Sequence, residues 1–286
     1  MFFVITIVLC FLSVAFYTLL ERKVLSYTGN RVGPNKVRIG GVLQPIGDAV
    51  KLLFKSIFLP SSSNSVLFFV TPVASLTFSI SLFILFFSSK FWRVPLSVLF
   101  FLSLIAISVF PPAFAGWASG SFYRKLGGSR NLVQTVRYEI TLFIILLFPL
   151  WVFNYLTIHS KATVATFMLI VVISFFIVLL AETNRAPFDL AEGERELVSG
   201  FNTEFGGSGF VLFFLAEYAQ IISMCLVGSS LFFNGYSVFF SFNTGLFLVL
   251  LTRSAWPRLR YDALIIIIWT ALLPTLNALV IIFVFL

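Results

Sequence analysis

Charge is scarce in this chain: Asp, Glu, Lys and Arg make up 10% of its 286 residues, against about 25% in a soluble domain. Histidine occurs once, as His159, and cysteine twice, as Cys10 and Cys225. Two cysteines exclude a disulfide framework and a cysteine-held cluster, and one histidine excludes a histidine-built metal site. Bound haem and zinc therefore lack ligands here, and both cysteines read as small buried residues in apolar stretches. Alternating polar and apolar strands are missing too, which excludes a membrane β-barrel. In their place stand continuous apolar runs: 59% of the chain is hydrophobic, and 38 residues are Phe. That excludes an ordinary soluble enzyme and a disordered chain. The expected class is all-α: one integral membrane domain over 1–286, with about eight transmembrane helices and an interfacial amphipathic helix.

A span needs about 20 apolar residues. Charge-free or nearly charge-free runs mark Phe2–Leu20, Val66–Ser88, Val94–Ala115, Tyr138–Ile158, Ala162–Ala181 and Phe210–Phe233. The stretch from Tyr218 to Thr252 carries no charge and is too long for one span. The Asn234-Gly235 turn signal divides it, giving Gly235–Thr252, and Ala263–Leu286 is the eighth span. The first run has no basic segment before it and no small-residue cleavage site after it, so a retained helix is expected rather than a signal peptide.

Eight spans put both termini on one side and four loops, near 21–64, 116–137, 182–209 and 253–262, on the other. Those loops hold 16 of the 19 Lys and Arg residues; only Lys90, Arg93 and Lys161 lie opposite. By the positive-inside rule the charged loops face the cytoplasm or its equivalent, the mitochondrial matrix. The net charge of +8 is thus a topology signal and implies no nucleic-acid partner.

In the first loop Gln44, Asp48, Lys51 and Lys55 recur at helical spacing, with Ile46, Val50, Leu53 and Ile57 on the opposite face. Pro45 suits a first helical turn and Pro60 stops the helix. The expectation is an amphipathic helix of about 15 residues in the interface plane; a solvent-facing loop helix is the plainer alternative. Before it, Arg22, Lys23, Arg31, Lys36 and Arg38 crowd a Gly-Pro-rich segment. Such a segment snorkels to lipid phosphates or serves as a docking or ligand-entry surface.

Seven of the eleven acids fall within 182–217: Glu182, Asp189, Glu192, Glu194, Glu196, Glu204 and Glu217. On a helix Asp189, Glu192 and Glu196 share one face, and Glu192 and Glu196 form an unfavourable like-charge pair. Crowded carboxylates cannot all ionise cheaply, and coupled carboxylates are what a proton relay needs. A solvated acidic loop is the bland reading. Against it, the segment lies among basic loops and runs into an intramembrane acid. Glu217 is expected about halfway into its span, where an ionisable group costs roughly 2.5–3.5 kcal/mol and faces the bundle interior. Gln220 shares its face and Tyr218 adjoins it. Glu139 is expected near the end of the fourth span, with Arg137 beside it as a partner.

Several strings together carry a resemblance: Glu21-Arg22-Lys23, Arg31-Val32-Gly33-Pro34-Asn35, Gln44-Pro45 with Asp48-Ala49-Val50-Lys51-Leu52, and Gly116-Trp117-Ala118-Ser119. To these add Ala181-Glu182-Thr183-Asn184-Arg185-Ala186-Pro187-Phe188-Asp189, the run from Leu190 to Asn202, Ala216-Glu217-Tyr218 and Pro257-Arg258-Leu259-Arg260-Tyr261-Asp262. In order and over nearly the whole chain they resemble the subunit 1 family of respiratory NADH:quinone oxidoreductase, complex I. The resemblance implies a proton-pumping NADH:ubiquinone reductase in the mitochondrial inner membrane, with the charged loops facing the matrix. It implies a quinone chamber shared with peripheral subunits and reached from the lipid, and contacts with other membrane-arm subunits. It implies that flavin and iron–sulfur clusters sit on other subunits, that quinone is the substrate, and that this chain alone holds no complete active site. By the same resemblance Arg22, Arg31, Asp48, Phe54 and Arg185 are candidates for the quinone entry and its lining. Asp189, Glu192, Glu194, Glu196, Glu139, Glu217 and Tyr218 are candidates for proton transfer and coupling.

The chain departs from the family pattern at Trp256, where Tyr is usual, at Thr270, where a Lys is common, and at Arg137, where a small residue is usual. The phenylalanine load and the lack of a presequence are expected of an organelle-encoded chain. Two other functions fit intramembrane acids: an autonomous proton- or ion-coupled transporter, and the membrane anchor of a hydrogenase-type complex. The first often shows internal repeats, and none is evident here; quinone-analogue labelling separates the second.

Overall fold

The computed structural model describes residues 2–56, 60, 63–92, 97–153, 169–189, 205–233 and 236–285. Among them every regular element is helical. The helices are α1 (Phe2–Thr28), α2 (Gln44–Leu53), α3 (Ser65–Trp92), α4 (Ser97–Ser108), α5 (Phe110–Ala118) and α6 (Phe122–Phe153). Then follow α7 (Leu169–Glu182), α8 (Ser208–Phe232), α9 (Tyr236–Ala255), α10 (Tyr261–Ile266) and α11 (Leu273–Phe285). A π-helical turn, Ile267–Leu272, joins the last two into one rod.

Seven described helical stretches are long and apolar enough to cross a membrane, and α7 is a shorter apolar helix of 14 residues. The first part of the expected fifth span lies outside the described residues. The chain is an all-α polytopic membrane protein. Pro111 and Pro112 fall near the end of the third candidate span, Val98–Ala118, at the start of α5 after a break at Val109. Lacking an N–H, proline is tolerated in a first helical turn and interrupts a helix interior.

Helices run past their apolar stretches. α1 continues through Glu21-Arg22-Lys23 to Thr28. α6 begins at Phe122 rather than near Tyr138, so much of the second charged segment is helix. Its early turns are held against α5 by backbone contact: a Cβ on Gly116 would lie 2.7 Å from the Arg124 carbonyl oxygen and 3.1 Å from the Gly128 Cα.

α8 is the most buried candidate span. It touches α1, α2, α3, α6, α7 and α9, so a polar residue on it reaches most of the molecule. Its approach is pinned where the acidic segment ends. Phe205 stacks on Phe68 at 4.2 Å and meets Phe213 edge-on at 5.0 Å. Gly207 follows at φ 56°, where a Cβ would stand 2.6 Å from the Lys55 carbonyl oxygen; glycine alone fits this close approach to the stretch after α2.

α2 spans 10 residues rather than about 15, with Pro45 in its first turn. None of its residues is buried. Ile46, Val50 and Leu53 line an exposed apolar face, and Phe54, just past its end, is 88% exposed.

Candidate functional site

The turn after α7, the middle of α8 and the end of α9 with the stretch after it meet around one polar cavity of about 80 Å³. Arg185, Asp189, Glu217, Gln220, Arg253 and Arg258 line it, with Asn131 of α6 beside them. Residues from three of the four charged segments contribute, those near 116–137, 182–209 and 253–262, and the first reaches the same end of the bundle through the pairing of Glu21 with Arg253.

The wall formed after α7 is built by local capping. Asn184 stands at φ 50°, the left-handed position that glycine or asparagine takes after a helix. The Arg185 N–H donates to the Leu180 carbonyl (3.1 Å) and the Asn184 N–H to the Ala181 carbonyl (3.3 Å). This pair of bonds is a Schellman cap, which satisfies carbonyls the helix leaves open. The chain then turns, with the Phe188 N–H on the Arg185 carbonyl (2.8 Å) and the Leu259 N–H on the Pro187 carbonyl (2.9 Å).

Side chains converge from there. The Arg185 guanidinium lies 4.3 Å above the Tyr218 ring, a cation–π contact, and reaches the Glu217 carboxylate at 3.6 Å. Arg258 pairs with Asp189 at 3.1 Å. The Tyr218 hydroxyl donates to Glu21, which is 5% exposed, and Arg253 pairs with the same carboxylate. Tyr17 meets Tyr218 edge-on at 5.8 Å. One residue further along α1, Arg22 points the other way and pairs with Asp48, which also accepts from Gln44 at 3.0 Å.

A second cavity of about 30 Å³ shares Pro112, Glu217 and Gln220 with the first and continues past Ser75, Ser79 and Ser108. Each of these hydroxyls donates to a carbonyl three residues back. Their oxygens keep acceptor capacity, and the volume suits a water molecule.

Of the expected site residues, the structure brings Arg22 to Asp48, Arg185 to Glu217 and Tyr218, and Asp189 to Arg258. Arg31 and Phe54 are exposed. Glu139 stands apart from the cavity lining. Arg137 does not pair with it; two residues apart on α6, the two side chains face different ways. The electrostatic neighbour of Glu139 is Glu182, the last residue of α7. Glu182 is 1% exposed, and neither carboxylate oxygen has a hydrogen-bond partner among the described residues. Glu192, Glu194 and Glu196 lie outside the described residues.

Sequence reasoning missed Glu21, Glu182, Arg253 and Arg258 as site residues. All four were visible as charges, and Glu21, Glu182 and Arg258 also sat within matched strings. Their roles depend on contacts between distant segments.

The fold and the cavity define a polytopic helical membrane protein with a buried charge network at one end of its bundle. The family model described as NADH dehydrogenase matches residues 1–284. NADH-ubiquinone oxidoreductase chain 1 of Artemia franciscana is 44% identical over 282 residues, 96% of this chain and 94% of that protein. The protein of that name from Aedes aegypti is 41% identical over 280 residues, covering 94% and 90%. That from Murina suilla is 43% identical over 281 residues, covering 92% and 88%. The chain belongs to this NADH dehydrogenase family, whose curated relatives here carry the name chain 1 of NADH-ubiquinone oxidoreductase.

Proposed function

We propose that this chain forms part of the quinone chamber of a proton-pumping NADH:ubiquinone oxidoreductase and couples quinone reduction to proton movement. The observation that carries the reading is the continuous set of contacts from the amphipathic helix to the intramembrane acid. Asp48 pairs with Arg22; the neighbouring Glu21 pairs with Arg253 and accepts from Tyr218; Tyr218 carries Arg185 on its ring; Arg185 reaches Glu217.

Reducing a quinone to a quinol takes two electrons and two protons. The electrons come from carriers on other subunits; this chain supplies walls and charge. In this reading Arg22, Arg31, Asp48 and Phe54 border the quinone entry beside α2, whose exposed apolar face lies against lipid. Arg185 holds Glu217 and Tyr218 in one arrangement. A change of charge at the chamber alters the pairing around Glu21, and Arg185 redistributes between Tyr218 and Glu217. Water in the two joined cavities then carries a proton between Glu217 and the serine-lined end. Asp189, Glu192, Glu194 and Glu196 bring protons or charge to this point, and Glu139 with the buried Glu182 continues the acidic path. Coupling through packed, charged contacts of this kind requires no moving cofactor on the chain.

The partners are the peripheral quinone-site subunits and the other membrane-arm subunits. The animal relatives support the mitochondrial inner membrane as the location, and the charge asymmetry supports a matrix face for the basic loops.

The test is Arg185→Met in the assembled complex. Quinone reductase activity and proton pumping fall about tenfold, equivalent to about 1.4 kcal/mol of barrier, while NADH oxidation by an artificial acceptor is unchanged. Normal quinone reduction and pumping in that variant would overturn the reading.

A further inference from the structure

Gln134 lies on α6 and is 3% exposed. Its Nε2 donates to two backbone carbonyls: Ala181 at 2.9 Å and Phe188 at 2.7 Å. A carboxamide nitrogen has two N–H donors, and both are spent here. Because both acceptors are carbonyls, the amide can face them only with its nitrogen. Its Oε1 has no hydrogen-bond partner among the described residues.

The two carbonyls are seven residues apart and bracket the segment that carries Glu182 and Arg185. Ala181 already accepts from the Asn184 N–H inside the α7 cap, and Gln134 takes its remaining acceptor capacity. Phe188 is held twice by α6. Gln134 binds its carbonyl, and Tyr138, one turn further on the same face, packs edge-on to its ring at 5.9 Å. The cap fixes the shape of the segment; the Gln134 bonds fix where that shape sits against α6. Leucine, methionine or an ionised glutamate at this position supplies neither donor.

We infer that Gln134 is a positioning residue for the Arg185 site: its carboxamide clamps the 181–188 segment and so sets where Arg185 meets Tyr218 and Glu217. The inference rests on the reading of that site given above. The clamp is buried, so its two bonds act in a low dielectric and do not exchange with bulk water. Losing it leaves α7 and its cap intact but frees the turn to shift Arg185 off the Tyr218 ring.

The test is a double-mutant cycle in the assembled complex, with Gln134→Met, Arg185→Met and the double variant. Methionine keeps length and volume and removes both donors. Complex is counted by NADH oxidation with an artificial acceptor, and quinone reductase kcat and KM are measured per complex. The expected result is a kcat lowered about fivefold by Gln134→Met, with KM within about twofold and the double variant no slower than Arg185→Met alone. If Arg185→Met lowers kcat while Gln134→Met does not, or if the two losses multiply, the positioning role is overturned and the site reading stands. A loss confined to the amount of assembled complex, with normal kcat per complex, overturns it equally. If Arg185→Met itself leaves kcat unchanged, the site reading fails first. Should Gln134→Met not assemble, Gln134→His keeps one donor and goes through the same cycle, with a smaller loss expected and the same outcomes deciding.

Discussion

α1 and α7 both end on an asparagine in the left-handed region followed by an arginine: Asn30 at φ 52° before Arg31, and Asn184 at φ 50° before Arg185. The bonds match as well. The Arg31 N–H donates to the Ser26 carbonyl (2.9 Å) and the Asn30 N–H to the Tyr27 carbonyl (3.1 Å), as Arg185 and Asn184 do to Leu180 and Ala181. A proline follows each pair within three residues, at Pro34 and Pro187. The two arginines then part company. Arg31 is exposed, whereas Arg185 turns into the cavity between Tyr218 and Glu217. One local device thus serves two purposes. The cap aims the chain out of the helix, and the neighbours available at that point decide what the arginine does.

The largest test of this contrast is Asn184→Val beside Asn30→Val. A β-branched residue costs about 1–2 kcal/mol in the left-handed region, so both variants strain their caps alike. Asn184→Val should lower quinone reductase kcat per assembled complex by about tenfold or more, because Arg185 moves with the cap. Asn30→Val should raise quinone KM and leave kcat within about twofold. Equal losses of kcat would erase the distinction between the two ends.

A smaller effect is expected from Glu21→Gln. It keeps the shape of the side chain but removes the charge that Arg253 pairs with, and the partly exposed arginine recovers some of the loss from water. A kcat lowered about threefold to fivefold is expected, with assembly retained. No change in kcat would detach α1 from the cavity and leave the Arg185 end acting alone. The smallest effect belongs to Arg31→Met: quinone KM rises about twofold at constant kcat, in keeping with the small worth of exposed charge contacts. A fall in kcat matching that of Arg185→Met would show that exposure does not separate the two arginines.

Much of the architecture was legible as the distribution of charge. Charge-free runs marked the apolar helices, because a spanning segment must satisfy its backbone internally and shed its charges. Helix ends were less legible. Hydropathy measures the apolar length of a helix, whereas α1 and α6 extend their hydrogen bonding through charged turns. The break at Val109 and the true length of α2 likewise depended on where backbone bonds close. In the candidate site, Glu217 was marked by its position in a span, Tyr218 as its neighbour, and Arg185 and Asp189 by their strings. Glu21 was not marked, since its partners Tyr218 and Arg253 lie 197 and 232 residues away. Gln134 gave no side-chain signal at all, because what it recognises is backbone.

By itself, then, the sequence determined an all-α membrane protein and the concentration of basic residues in four segments and of acids in one. Each follows from simple physics: solvation of apolar runs and charge asymmetry across a bilayer. Only the tertiary structure decided that Glu21 and Arg22 take different partners, that Glu182 is buried with no hydrogen-bond partner among the described residues, and that Arg185 rather than Arg31 enters a cavity. Those outcomes depend on which helices pack side by side, and the free energy of a buried charge is set by the partners that packing supplies.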